Sequence, residues 1–526
     1  MLRRVASNSV YMGRQNVTSL MVKKNKATVA ATESLQDEWV SAKPFEEIPG
    51  PKPLPLIGNM WRFMPLIGSI PTDIVRLQDY FYKKYGDISK LEHIPGKNNA
   101  VFLFNVEDLE KVYRNDGPWP IRPGIISMLY YRKVTRKDLF EGVGGALLTH
   151  GKEWHDFRSA VNQIMMQPRS TKLYVQPIDA VAADFIERIR IIRDEKLEMP
   201  DDFANELCKW ALESIVYIAL DKRLGCLAND LESDSEPQKM INAVNVMLES
   251  IFLLDMTISP WRLISTPQWR KFVKASDFFN ELCIKYINEA IERLKTLNDA
   301  DRELTVLEKI LAKEENPKTA MVMALDMMTA GVDTTSFTTA TILHFLGTHA
   351  EKQDKAFQEI ESFIKDKDQP VTSEILNELK YLKACIKEAM RLQPVAVGTA
   401  RTLTKDIVLS GYKVPKGTDA VMTHSYLSKM DRHFPEAEKF IPERWLKSSE
   451  HHRSQSQDTH PFVSLPFGYG PRSCLGKRFA LLEIETVLAK ILRNFRVEYN
   501  YGELEYQSRL LVTPVSKLKF KMIERE

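Results

Sequence analysis

Phe467-Gly-Tyr-Gly-Pro-Arg-Ser-Cys474-Leu-Gly476 sets one cysteine in a glycine-punctuated loop, directly ahead of an apolar, helix-patterned run that begins Phe479-Ala-Leu-Leu-Glu-Ile-Glu. A helix start presents unpaired N–H groups and a partial positive charge, so a thiol placed there is expected to ionise more readily than a free one. Gly468 and Gly470 permit the turn, and Gly476 leaves the sulfur open to close backbone approach. Arg472, two residues before the cysteine, adds a fixed positive charge suited to an anionic ligand.

Around this loop the chain is large and weakly charged. It has 526 residues, 44% of them hydrophobic, and no Gly/Ser linker divides it, so one large compact domain is expected. A net charge of +3 is too mild to argue for a nucleic-acid partner. The five cysteines (Cys208, Cys226, Cys283, Cys385, Cys474) are scattered, with no C-x-x-C pair. That excludes a dense disulfide framework, the usual zinc patterns and a covalent C-x-x-C-H haem attachment, and it fits a reducing compartment.

Residues 1–32 carry Arg3, Arg4, Arg14, Lys23, Lys24 and Lys26 and no acidic residue before Glu33. Lys23 and Lys24 interrupt the only apolar candidate well short of the roughly 20 residues that cross a bilayer. The segment therefore reads as a cleavable mitochondrial presequence, followed by a linker over 33–48 and a single domain over 49–526. Ile48-Pro-Gly-Pro-Lys-Pro-Leu-Pro-Leu-Ile-Gly58 cannot be helical, because prolines recur at alternate positions; alone it suits a stiff linker or a docking ligand.

From about residue 70 the period is mostly helical. Apolar residues recur at three- and four-residue spacing over 174–193, 203–220, 238–254, 268–296, 304–313 and 317–348. Strand-like stretches are short: Asn99–Phe104, Ile407–Val414 and Val497–Phe520. The predicted class is mainly α with small β-sheets.

Phe-x-x-Gly-x-Arg-x-Cys-x-Gly is matched at every fixed position from Phe467 to Gly476, and this resembles the haem-binding signature of the cytochrome P450 family. The resemblance implies haem b, held non-covalently apart from a bond from the Cys474 thiolate to iron. It also implies the family's mainly α fold, and monooxygenase activity on lipophilic, xenobiotic or steroid-like molecules with O₂. Within the long run 317–348, Ala330-Gly331-Val332-Asp333-Thr334-Thr335 breaks an apolar pattern with poor helix formers. It is similar to the family's oxygen-activation motif. Gly331 is expected to open a groove for a diatomic ligand, Thr334 to bend back onto the Ala330 carbonyl and donate a proton, and Asp333 to feed protons from solvent.

Other motifs follow in the family's order. Glu388 and Arg391 lie three apart on one helix face, and Phe440-Ile-Pro-Glu-Arg-Trp445 follows, with Trp445 in place of the commoner Phe. The resemblance implies a buried structural network of Glu388, Arg391 and Arg444. Trp154 and Arg158 are one turn apart and, with Arg401, Arg472 and Phe467, are implied to bind the haem. Lys383, Lys387, Lys477 and Arg478 resemble the contact face of the branch served by a mitochondrial ferredoxin, which a ferredoxin reductase charges from NADPH. Ile251–Ile264 is an apolar stretch that suits either a buried loop or, by resemblance, a lid over the substrate route with peripheral membrane contact on the matrix side of the inner membrane. The substrate pocket is expected to draw on 125–148, Met327, Ala330, 395–398 and 510–512. The chain is most similar to the insect mitochondrial branch. Two rivals stay open: a haem-thiolate isomerase or lyase needing no reductase, and a non-catalytic haem- or lipophile-binding protein.

Overall fold

The computed structural model describes residues 37–526 except 65–66, 230, 233, 258, 297–302, 315 and 448–457. The presequence expected over 1–32 lies outside the described residues.

The architecture is organised by one long helix, Pro317–Thr348, referred to below as the central helix. Asn316 caps it by accepting from the Lys318 N–H, and Pro317 occupies the first turn, where its missing N–H costs nothing. This helix is packed on nearly every side. From Thr319 to His344 only Ala330 is exposed, with Gly331, Thr334 and Phe337 half-buried. Ala330, Thr334 and Phe337 are spaced four and three apart, so the accessible positions form one stripe. The helix Phe203–Leu220 lies closely along it, and the helix Lys477–Asn494 that follows the cysteine loop packs against it over a shorter stretch. The helix Lys380–Leu392 carries Glu388 and Arg391 and packs on the same core.

A four-stranded sheet sits beside the helical body in the order Ile88–Leu91, Ala100–Leu103, Asp419–Met422, Thr399–Thr402. Its middle pair is parallel, with Ala100 opposite Asp419, and both outer pairs are antiparallel. The sheet has its own apolar core, including Phe81, Val101, Leu103 and Phe104, apart from the larger cluster around the central helix.

Helical period located the long elements well: Val175–Ile192, Phe203–Leu220 and Pro317–Thr348 end within two residues of expectation. The strands were harder. Ile407–Val414 is a hairpin of two three-residue strands around Ser410 and Gly411, and Ile88–Leu91, Thr399–Thr402 and Asp419–Met422 carried no strand signal. The proline-rich stretch is non-helical as expected. Residues 42–48, expected to be linker, are part of the packed body. Phe45 and Ile48 are buried, Lys43 bridges to Tyr412, and Lys90 Nζ donates to the carbonyls of Phe45 and Glu46.

Candidate active site

Cys474 is set by its loop before it is set by any helix. Gly468 and Gly470 adopt φ of 69° and 72°, a region that side chains with a Cβ resist. The turn closes when the Cys474 N–H donates to the Phe467 carbonyl at 2.9 Å. The N–H groups of Gly476 and Lys477 point at the sulfur. Cys474 is exposed, yet the protein packed around its sulfur raises the thiol above its ordinary value, outweighing those N–H groups and the charges of Arg158 and Arg122. The expected easy ionisation is therefore not a property of the loop alone; bonding to a metal removes the proton outright.

Four arginines crowd this region. Arg158 Nη2 donates to the Ser473 carbonyl at 3.0 Å. Arg472 is held by the carbonyls of Pro120, Ala146 and Thr149 and by His150 Nδ1, and its guanidinium lies 4.1 Å from the Trp154 ring centroid. Burial, together with Arg122, Arg401 and Arg158, pushes Arg472 down to about 9. Arg401 is committed to a buried ion pair with Asp116 at 2.7 Å, a partner the sequence did not reveal. Arg122 was also missed. It lies close enough to Cys474 and Arg401 to feel both charges, yet has no hydrogen-bond or ion-pair partner among the described residues. The Trp154 indole N–H is buried without a partner as well. One carboxylate against four cations, plus an orphaned donor, is the donor set that a dianionic porphyrin edge satisfies. The residues present fit haem.

On the central helix, Thr334 Oγ1 donates to the Ala330 carbonyl at 2.7 Å, as expected, without interrupting the helix. Gly331 departs from expectation. A Cβ there would meet Ile215 Cγ1 at 2.8 Å, so the missing side chain admits the neighbouring helix and not a ligand groove. Asp333 points into the protein, 3% exposed, beside Cys208, whose thiol lies 4.0 Å from Oδ1 and 3.3 Å from Ser336 Oγ. Burial raises Asp333 to about 7. It therefore carries a proton near neutrality but does not itself reach solvent.

Glu388 is fully buried and saturated. It accepts from Arg391 at 2.9 and 2.8 Å, from Arg444 Nε at 2.9 Å, from the Ile441 N–H at 3.1 Å and from Trp445 Nε1 at 2.8 Å. Arg391 also donates to carbonyls of Ser428, Ala437 and Lys439, tying the helix to the loop beyond it.

The four expected partner-contact cations differ in state. Lys387 is exposed and lies over the Trp445 ring. Lys477 is exposed over the Phe467 ring, and Arg478 donates to the Met166 carbonyl. Lys383 is paired with Glu485 at 3.6 Å, so the patch is less positive than the sequence suggested. Val395 and Val512, from two stretches expected to line the pocket, meet where the Val512 N–H donates to the Val395 carbonyl at 2.9 Å. The stretch 251–264 is part helix and part loop. Asp255 is buried and accepts from the Ser127 N–H and hydroxyl, whereas Leu263 and Ile264 are exposed.

Comparison with known proteins gives the same answer. The family model for cytochrome P450 matches residues 48–522. "Probable cytochrome P450 301a1, mitochondrial" of Drosophila melanogaster is 40% identical over 488 residues, 92% of this chain and 88% of that protein. "Cytochrome P450 CYP12A2" of Musca domestica is 39% identical over 515 residues, 95% and 94% of the two chains. "Probable cytochrome P450 12c1, mitochondrial" of Drosophila melanogaster is 39% identical over 524 residues, 98% and 99% of the two chains. With its signature cysteine in a haem-fitting, cation-rich loop, the chain belongs to the cytochrome P450 family, as a haem-thiolate monooxygenase that binds haem b through cysteine.

Proposed function

We propose that this monooxygenase hydroxylates lipophilic small molecules, xenobiotic or steroid-like, using electrons passed from NADPH through a ferredoxin reductase and a mitochondrial ferredoxin. Its proposed location is the matrix side of the inner membrane, held peripherally. The names of two of the relatives above include "mitochondrial", and no helix among the described residues is long and apolar enough to cross a membrane. Exposed Leu263 and Ile264 suit a shallow membrane contact.

The observation that carries the reading is the accessible Ala330–Thr334 stripe on an otherwise buried helix, with the Asp333-Thr334 pair intact. When bound, haem b supplies the redox centre at which O₂ is activated, one oxygen atom passing to substrate and the other to water. Cys474 is the proposed iron ligand, with the Gly476 and Lys477 N–H groups supporting the sulfur. Phe467 flanks the loop; Trp154, Arg158, Arg472 and the newly identified Arg122 hold the propionates, while Arg401, paired with Asp116, contributes its charge and not a free donor. Thr334 presents its hydroxyl on the accessible stripe and passes a proton at Oγ1. Asp333, protonated near neutrality, stores the replacement.

The test is reconstitution. The purified holoenzyme should give a thiolate-type ferrous–carbon monoxide spectrum and turn over lipophilic substrates only when NADPH, reductase and ferredoxin are all supplied. Rearrangement of an organic hydroperoxide without reductase, with no oxygen atom passed to a second substrate, would instead favour the isomerase or lyase rival. Screening steroids and xenobiotics for a spin-state shift narrows the substrate.

A further inference from the structure

The surface built by the helices Lys380–Leu392 and Lys477–Asn494 contains a carboxylate that the sequence reading did not use. Glu485 lies on the second helix, one turn beyond Leu481, and its side chain is 15% exposed. Lys383 Nζ sits 3.6 Å from Glu485 Oε2 and is itself only 28% exposed. Lys387, one turn along the first helix, is close enough to act on Glu485 electrostatically but makes no ion pair with it. Instead its ammonium lies 6.0 Å from the centroid of the Trp445 ring, at the edge of cation–π range. Trp445 in turn is fixed from beneath by its bond to Glu388. Two lysines that sequence presents as equivalent are thus in different states: one neutralised and half-buried, the other exposed and displayed on an anchored aromatic ring.

We infer that Glu485 is an internal counter-charge at the electron-delivery face, which holds Lys383 in an ion pair and leaves Lys387 as the lysine that first meets an acidic iron–sulfur partner. This rests on the proposed docking of a ferredoxin at this face. An acidic carrier must compete with Glu485 for Lys383, whereas Lys387 is available at no such cost. Trp445 is a positioning residue in this arrangement, because its ring fixes where the Lys387 charge stands. The result is a threshold: a weakly acidic carrier gains only Lys387, and a strongly acidic one gains both lysines.

Two measurements on the holoenzyme separate this inference from the docking reading beneath it. The first is the KM for an adrenodoxin-type [2Fe–2S] ferredoxin. Glu485→Gln should lower it about threefold, with the effect on KM and not kcat, since half-exposed pairs shift binding by modest factors. Lys387→Gln should raise it about fivefold, and the paired change Lys383→Gln with Glu485→Gln should stay within about twofold of the parent. An unchanged or higher KM for Glu485→Gln, in protein that keeps its thiolate-type carbon monoxide spectrum, overturns the inference. An unchanged KM for Lys387→Gln overturns the ferredoxin docking itself. The second measurement needs no partner: lysine acetylation followed by mass spectrometry. Lys387 should react well before Lys383 in the parent, and the gap should close in Glu485→Gln. Equal reactivity in the parent would remove the ion pair, and the inference with it.

Discussion

Trp445 donates its indole N–H to the buried carboxylate of Glu388 across 2.8 Å. The position usually holds a phenylalanine in the family the sequence resembles, so the extra donor belongs to this chain. It completes a cage in which a fully buried negative charge is met by two guanidiniums, a backbone N–H and an indole. Trp445→Phe keeps the ring and removes only the bond. Because the acceptor is ionised and has no solvent to turn to, the loss should be about 1.5–3 kcal/mol in unfolding free energy. Arg444→Leu, which leaves charge unpaired, should cost about 3–5 kcal/mol. Denaturant unfolding of the two variants gives the comparison, and equal costs would mean the indole bond is not distinct from the packing.

Gly331 supports a different kind of prediction. A methyl group there collides with Ile215, so Gly331→Ala should destabilise by about 1–3 kcal/mol through overpacking, reduced by the roughly 1 kcal/mol that alanine gains over glycine inside a helix. Ile215→Ala made in the same chain should relieve the clash, so the two changes together should cost less than the sum of each alone. Thermal unfolding of the four proteins measures this coupling. Were Gly331 opening a ligand groove, the single variant would lose activity with its stability intact.

That contrast also marks what the sequence could disclose. The cysteine loop, the Glu-x-x-Arg helix and the oxygen-activation motif are local patterns, and the long helices follow from the 3.6-residue period. The partner of Gly331 lies on another helix, 116 positions away at Ile215, and no period records such a meeting. Arg122 comes near Cys474 from a loop with no motif around it, and Asp116 finds Arg401 across 285 positions. Lys383 read as a free cation because Glu485, its counter-charge, belongs to a separate helix. Three of the four strands of the main sheet were missed for a related reason: four residues are too few to show alternation, and Asp419–Met422 is recruited by pairing on both sides.

Asp333 makes stability depend on pH in a predictable direction. Its folded value, about 7, stands above its ordinary value of 3.8, so the folded protein holds the proton more tightly between those limits. Stability from this group is complete below the lower value and is lost as pH rises through the upper one. At about 1.36 kcal/mol per unit, the loss is on the order of 4 kcal/mol. Asp333→Asn, which cannot ionise, should therefore gain on the parent as pH rises from 4 to 7 and hold a constant advantage above about 8. Denaturant unfolding at a series of pH values tests the sign, and a parent that gains on the variant over that range would contradict the burial described here.

Thr334 separates proton delivery from folding. Its hydroxyl returns to the Ala330 carbonyl inside an intact helix, so Thr334→Ala should change stability by less than about 1 kcal/mol. It should also keep its haem. Product formation should nonetheless fall about a hundredfold, the lower end for loss of a general-acid contribution, while NADPH consumption continues and hydrogen peroxide accumulates. Thr334→Ser should restore most of the coupling. Measuring product, NADPH and peroxide together makes the distinction, and full coupling in the alanine variant would remove Thr334 from the proton path.

Arg122 and Trp154 each carry a donor that the cofactor would satisfy. Among the described residues the buried indole N–H and the Arg122 guanidinium have no hydrogen-bond partner, whereas Arg401 already holds Asp116. If these two donors meet the propionates, Trp154→Phe and Arg122→Leu should each release haem to an apomyoglobin trap faster than the parent, by about fivefold to thirtyfold for the loss of one charge-assisted bond worth about 1–2 kcal/mol. Removing the cation crowding should also raise the neighbouring Arg472 toward its ordinary value in Arg122→Leu, since Arg122 is the largest of the charges depressing it. Arg401→Leu should behave differently, because it strands the Asp116 carboxylate and so costs folding stability first. Equal haem release in all three variants would mean that the arginines act as one diffuse field and not as individual donors.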